Sequence, residues 1–140
     1  MKMANTINYI TIHCSDSDLD RHDNINVIDA WHRARGFRKV GYNYFIQSCG
    51  SLQEGRKEGE ILAHAKGHNK GHIAICLHGK NKFTDAQETT LQMLIYNILG
   101  RHKIKKIYYH NEINKHKSCP NVRYNWIAVI NEEIQTETNK

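Results

Sequence analysis

Four short β-prone runs punctuate the chain: YITIHC at 9–14, GYNYFIQ at 41–47, HIAICL at 72–77 and KKIYYH at 105–110. Each is rich in β-branched or aromatic residues, and helical patterns fall between and after them. Asn26 opens the first such pattern, with Val27, Ile28, Trp31 and Ala34 at helical spacing and Gly36 as its stop. Thr84 followed three residues later by Gln87 makes a capping box. Behind it, Leu91, Leu94, Ile95, Ile98 and Leu99 share one side of a helix running to about Arg101. Pro120 marks the entry to a last helix carrying Trp126, Ile127 and Ile130, and the polar tail from about Gln135 is expected to fray. SCGS turns the second run into a short SLQE strand, a hairpin signal. Strands alternating with helices, plus one hairpin, predict an α/β fold: a central mixed sheet flanked by helices. No repeat, low-complexity tract or linker interrupts it, so residues 1–140 read as a single domain with a core over about 7–133. That length can bury a core without disulfide staples.

The formal charge of +6 favours anionic partners, but nucleic acid, acidic lipid and anionic cell-wall polymers all qualify. Its basic residues are scattered, with clusters at Arg33, Arg35, Arg38 and Lys39 and again from Arg101 to Lys106. The opening MKMANTINYITIHCS has no apolar signal region, and no apolar run approaches the roughly 20 residues that span a bilayer. A protein made in a reducing cytoplasm is expected. Cys14, Cys49, Cys76 and Cys119 then read as thiols rather than a disulfide framework, with Cys14 and Cys76 buried in apolar runs.

Residues 108–122, YYHNEINKHKSCPNV, place a histidine, a lysine and a cysteine together behind a strand. Catalytic zinc sites take three protein ligands from His, Cys and carboxylate and leave one position open. His110 and Cys119 can supply two. Ten histidines compete for the third place, and His13 is best placed, near the C-terminal end of the first strand. Ligand sites in α/β sheets collect beyond such ends. Strand alternation sends Cys14 to the face opposite His13, with Ile10 and Ile12, which argues against it as a ligand. A second candidate for function is the glycine-rich stretch GRKEGEILAHAKGHNKGH at 55–72, long for a loop in a compact domain.

In order along the chain, ITIHCSDS, IDAWHRARGFRKVGYNYFI, GSLQEGR, AHAKGHNKGHIAICLHG and HNE…KSCP resemble the motifs of the zinc-dependent N-acetylmuramoyl-L-alanine amidases of type 2. The resemblance runs from about Tyr9 to Trp126 and is strongest toward the short phage enzymes. It implies one Zn2+ held by His13, His110 and Cys119, with Tyr42 and Lys117 at the family's catalytic tyrosine and lysine positions. The implied reaction is hydrolysis of the amide joining N-acetylmuramic acid to L-alanine, on peptidoglycan or muropeptides. His64 falls in a segment similar to the substrate-groove wall, whereas His68 is expected at the surface. Glu112 is expected to cap or support rather than to act as a base. Two departures stand out. Asn43 replaces the histidine that usually follows the tyrosine, a change expected to affect support more than chemistry. The loop from His110 to Cys119 is one residue longer than in similar phage members, which makes Lys115 and His116 competitors of Lys117. A monomer with no nucleic-acid or membrane partner is expected, acting as a phage or prophage endolysin that reaches the wall by a separate route. A cytoplasmic recycling amidase, a non-catalytic peptidoglycan-binding module and a metal-dependent nuclease are the rivals.

Overall fold

The computed structural model describes residues 6–138. Five strands form one sheet in the order β3-β2-β4-β1-β5. They are β1 Tyr9–Cys14, β2 Tyr44–Ile46, β3 Leu52–Glu54, β4 His72–Leu77 and β5 Lys106–Tyr109. The β2–β3 hairpin is antiparallel, and every other pairing is parallel. The expected mixed α/β sheet is therefore the observed one.

Alternation along the strands divides the core in two. Ile10 and Ile12 of β1 and Ile73, Ile75 and Leu77 of β4 face helices α2 (Asp85–Arg101) and α4 (Asn125–Thr138). Leu91, Leu94, Ile95, Ile98, Ile127 and Ile130 complete this larger cluster. Each fully buried Leu or Ile contributes about 1.5–3 kcal/mol relative to exposure, so this face carries most of the stability. On the opposite face, Phe45 and Cys76 meet Ile25 and Ile28 of α1 (Ile25–Ala34) and Val40. That second cluster is small. One helix covers only part of the face, and polar residues can occupy the remainder.

The ends of the helices follow local chemistry. Thr84 accepts from the Gln87 backbone N–H while the Gln87 side chain accepts from the Thr84 backbone N–H, the reciprocal box read from sequence. The first helix starts earlier than Asn26, because the Asn24 side chain accepts from the Asn26 N–H and acts as its N-cap. The last helix continues past Gln135 to Thr138, since Ile134 packs against the larger core and holds the final turns. Among the described residues no helix is long and apolar enough to cross a membrane.

Candidate metal centre

The two histidines converge because β1 and β5 are parallel neighbours. Their last register pair is Ile12 with Tyr109, so His13 and His110 follow at the C-terminal edge of the sheet. His13 is the penultimate residue of β1, and His110 begins the short helix α3 (His110–Ile113). Their ring centroids lie 4.2 Å apart. Glu112 caps that helix, its carboxylate accepting from the Tyr109 backbone N–H at 2.7 Å.

The following loop returns Cys119 to the same point. Asn111 donates to the carbonyls of Ser118 (3.2 Å) and Pro120 (3.3 Å), and Arg123 donates to Asn111 Oδ1 (2.6 Å). Cys119 Sγ then sits 3.3 Å from His110 Nδ1. One ligand atom from each of His13, His110 and Cys119 lies within 4.8 Å of the others.

These residues fit a metal ion by two observations. A tetrahedral N–metal–S edge spans about 3.5 Å, close to the His110–Cys119 separation. His13 Nδ1 is buried and has no hydrogen-bond partner, an orphaned lone pair of the kind a cation satisfies. Burial lowers His13 to about 4, so it is neutral, as a ligand must be. The Cys119 thiol is held well below the ordinary thiol range, first by the adjacent Cys14 thiol and then by His110 and His13. Cys14 in turn stays a thiol, pushed up by the same contact and by burial.

A cavity of about 730 Å³ opens beside this cluster, with His110, Cys119, Cys14, Trp31, Tyr42 and Lys117 in its walls. Cys14 is buried as expected, but it faces this cavity rather than the apolar core. It lies at the strand end, where the core-side face opens onto the 110–120 loop. Trp31 likewise does more than pack the helix. The Tyr42 ring lies 4.8 Å from that of His13. Burial raises the Tyr42 phenol well above its ordinary value, so it keeps its proton. Of Lys115, His116 and Lys117, only Lys117 lines the cavity.

Two glycines and two buried polar side chains hold Tyr42 in place. A Cβ on Gly41 would lie 1.9 Å from the Ala63 carbonyl oxygen, and one on Gly55 would lie 2.3 Å from that of Tyr42. Only glycine permits these two close approaches. Arg56 donates to the carbonyls of Val40 (2.8 Å) and Ile61 (2.7 Å), tying the segments on either side. Asn43 faces away from the cavity, donating to Arg56 O and Lys57 O and accepting from the Ala74 N–H. Its role is support, in line with the sequence reading.

His64 sits next to the cluster. It is 8% exposed and does not line the cavity. Instead it lies behind His13, with His13 Nε2 2.8 Å from His64 Nδ1. The sequence signal for this place is Asn69: its side chain accepts from the His64 and Ala65 backbone N–H groups and closes the loop on which His64 sits.

The chain is similar to peptidoglycan amidases and to peptidoglycan-recognition proteins. The sequence pattern of the N-acetylmuramoyl-L-alanine amidases matches residues 3–122. The endolysin of Escherichia phage T7 is 32% identical over 127 residues, covering 85% of this chain and 83% of the endolysin. Peptidoglycan-recognition protein SC2 of Drosophila melanogaster is 29% identical, over 98% of this chain and 77% of that protein. Among solved structures, the N-acetylmuramoyl-L-alanine amidase LysC from Clostridium intestinale superposes with a TM-score of 0.78 at 25% identity, covering 96% of this chain and 87% of its own.

Proposed function

The chain belongs to the N-acetylmuramoyl-L-alanine amidase family, and from that premise we propose that it is a zinc enzyme whose site residues are His13, His110, Cys119, Tyr42 and Lys117. It is an endolysin-like amidase of peptidoglycan. The convergence of His13, His110 and Cys119, the last two in the wall of an open cavity, carries the zinc reading. Two imidazoles and a thiolate suit Zn2+ better than hard cations, which prefer oxygen ligands. Cys119 also separates this chain from a binding module that lacks the thiolate.

His13 would hold the ion through its orphaned Nδ1, His110 through the Nδ1 facing Cys119, and Cys119 through its sulfur. Bound there, Zn2+ supplies a Lewis acid that polarises the amide carbonyl and lowers the pKa of water at the site. The remaining work falls to the chain. An amide is a poor electrophile, and its oxygen gathers negative charge as the carbonyl carbon is attacked. The Lys117 ammonium, in the wall of the same cavity, meets that charge. Tyr42 presents a protonated hydroxyl from the opposite strand end, a donor that orients the reacting groups and holds a proton near the leaving nitrogen. Cys14, in the same wall, favours the Cys119 thiolate. Trp31 gives the cavity an apolar wall for the non-reacting part of the substrate.

Digestion of purified sacculi and of soluble muropeptides tests the reading. New L-alanine amino termini should appear without new reducing sugar ends, vanish with chelator and return with Zn2+. A protein that binds Zn2+ and wall but releases no stem peptide would overturn it. Relative rates on the two substrates also separate a wall-lytic enzyme from a recycling one.

A further inference from the structure

A line of hydrogen bonds behind the metal centre assigns every proton along it. His64 Nε2 is hydrogen-bonded to the His68 backbone carbonyl. A carbonyl oxygen only accepts, so His64 Nε2 must carry a hydrogen. In the neutral ring, His64 Nδ1 is then a bare acceptor. His13 Nε2, 2.8 Å away, must be the donor. A neutral His13 that is protonated at Nε2 has its lone pair on Nδ1. That atom is the buried one without a partner, on the ring that clusters with His110 and Cys119. The opposite assignment would need a charged His64 that makes no ion pair among the described residues. It would also place a buried N–H on His13 Nδ1 with nothing to receive it.

We propose that His64 is a positioning residue: with the His68 carbonyl behind it, it locks His13 in the Nε2–H tautomer and fixes its ring so that Nδ1 is always available to the metal. This rests on the reading of His13 as a metal ligand. An imidazole in water exchanges between tautomers and rotates, and a ligand in the wrong tautomer must pay to switch before binding. The loop that holds His64 is built for constancy. Asn69 Oδ1 accepts from the N–H groups of His64 (2.9 Å) and Ala65 (3.0 Å), and His68 N donates to the Ala65 carbonyl at 2.9 Å. The Ala63 N–H donates to the Gly41 carbonyl at 3.2 Å, which joins this loop to the segment carrying Tyr42. The AHAKGHN stretch thereby serves the metal from behind His13.

Long-range proton–nitrogen NMR on histidine-labelled, metal-free protein reads the tautomers directly. His13 and His64 should both appear as Nε2–H with unprotonated Nδ1. Competition of Zn2+ against a fluorescent chelator then reads the consequence. His64→Leu should weaken Zn2+ binding about 10- to 100-fold and leave His13 as a mixture of tautomers. His64→Asn places an amide oxygen where Nδ1 stood and should restore most of the affinity and the Nε2–H form. An Nδ1–H signal for His13 in the wild type overturns the proposal, as does wild-type Zn2+ affinity in His64→Leu with the fold intact. If the wild type binds no Zn2+ while the tautomers are as assigned, the zinc reading fails and the proton assignment stands.

Discussion

Lys117 and Tyr42 line the cavity but are not among the three clustered donor residues, and that separates their variants from those of His13, His110 and Cys119. Cys119→Ala or His13→Ala removes a donor from a three-donor set, so metal and activity should disappear together. Lys117→Ala leaves all three donors in place. The loss of one charge-stabilising group costs about 10²- to 10³-fold in kcat, with Zn2+ content unchanged by elemental analysis. Tyr42→Phe should behave in the same way with a smaller loss, its ring still packed 4.8 Å from His13. Full activity in Lys117→Ala would move the oxyanion role to another group. The clustering of His13, His110 and Cys119 was readable in the sequence because each lies at a strand end or in the loop after one, where ligand sites gather. Lys117 could not be chosen over Lys115 and His116 by counting, since loop geometry decides which side chain turns inward. The orientation of His64 was not legible for a similar reason. A sequence shows that it lies near the site, but only the His68 carbonyl and the Asn69 staple show which way its ring points.

At the scale of elements, α2 is the helix on which the larger core depends, and its first turn is where it is easiest to perturb without touching the site. Thr84 accepts from the Gln87 N–H at 3.1 Å, and its hydroxyl donates to the Ser48 carbonyl at 2.6 Å. Thr84→Ala should therefore cost about 1–2 kcal/mol, the upper part of the range for a lost N-cap. Urea unfolding should record that loss, while kcat and Zn2+ affinity stay at wild-type values. A variant as stable as the wild type would show that Gln87 caps the helix unaided. This box, the hairpin and the four parallel or paired runs were all legible, because capping and strand alternation are local. The ends that sequence misjudged are tertiary. Asn24 rather than Asn26 caps α1 because the chain enters from a hydrogen-bonded turn, in which Asp23 N donates to the Asp20 carbonyl. The final helix outlasts its polar composition because Ile134 finds the core.

For the molecule as a whole, buried neutral histidines set how stability responds to acid. Burial lowers His13, His32 and His72 to about 4 and His64 to about 2. For His32 the cations of Arg35 and Arg56 add to the effect. An unfolded chain protonates these histidines near 6.5, whereas the folded chain holds them neutral. Between pH 6.5 and 4 the unfolded state therefore binds more protons, and stability that is complete above 6.5 drains away as the pH falls. Glu60 acts only below that window. Burial opposes its ionisation, but the Lys57 N–H, Arg38 and Lys39 prevail and lower it to about 2. Its contribution is lost as the pH falls from about 4.5 toward 2. His32 isolates the histidine part, since it is not in the His13–His110–Cys119 cluster and its Nδ1 accepts from the Gly41 N–H at 2.8 Å. Protonation would place two donors face to face there. Its share is on the order of 3 kcal/mol at the acid end of the window. Urea midpoints measured on chelator-treated protein should fall steadily from pH 7 to 4.5. In His32→Asn, whose amide oxygen can still accept from Gly41, the fall should be distinctly shallower. Equal slopes in the two proteins would place the acid sensitivity outside His32. With metal present the wild-type fall should be steeper still, because His13 must then release its ion as well as take up a proton.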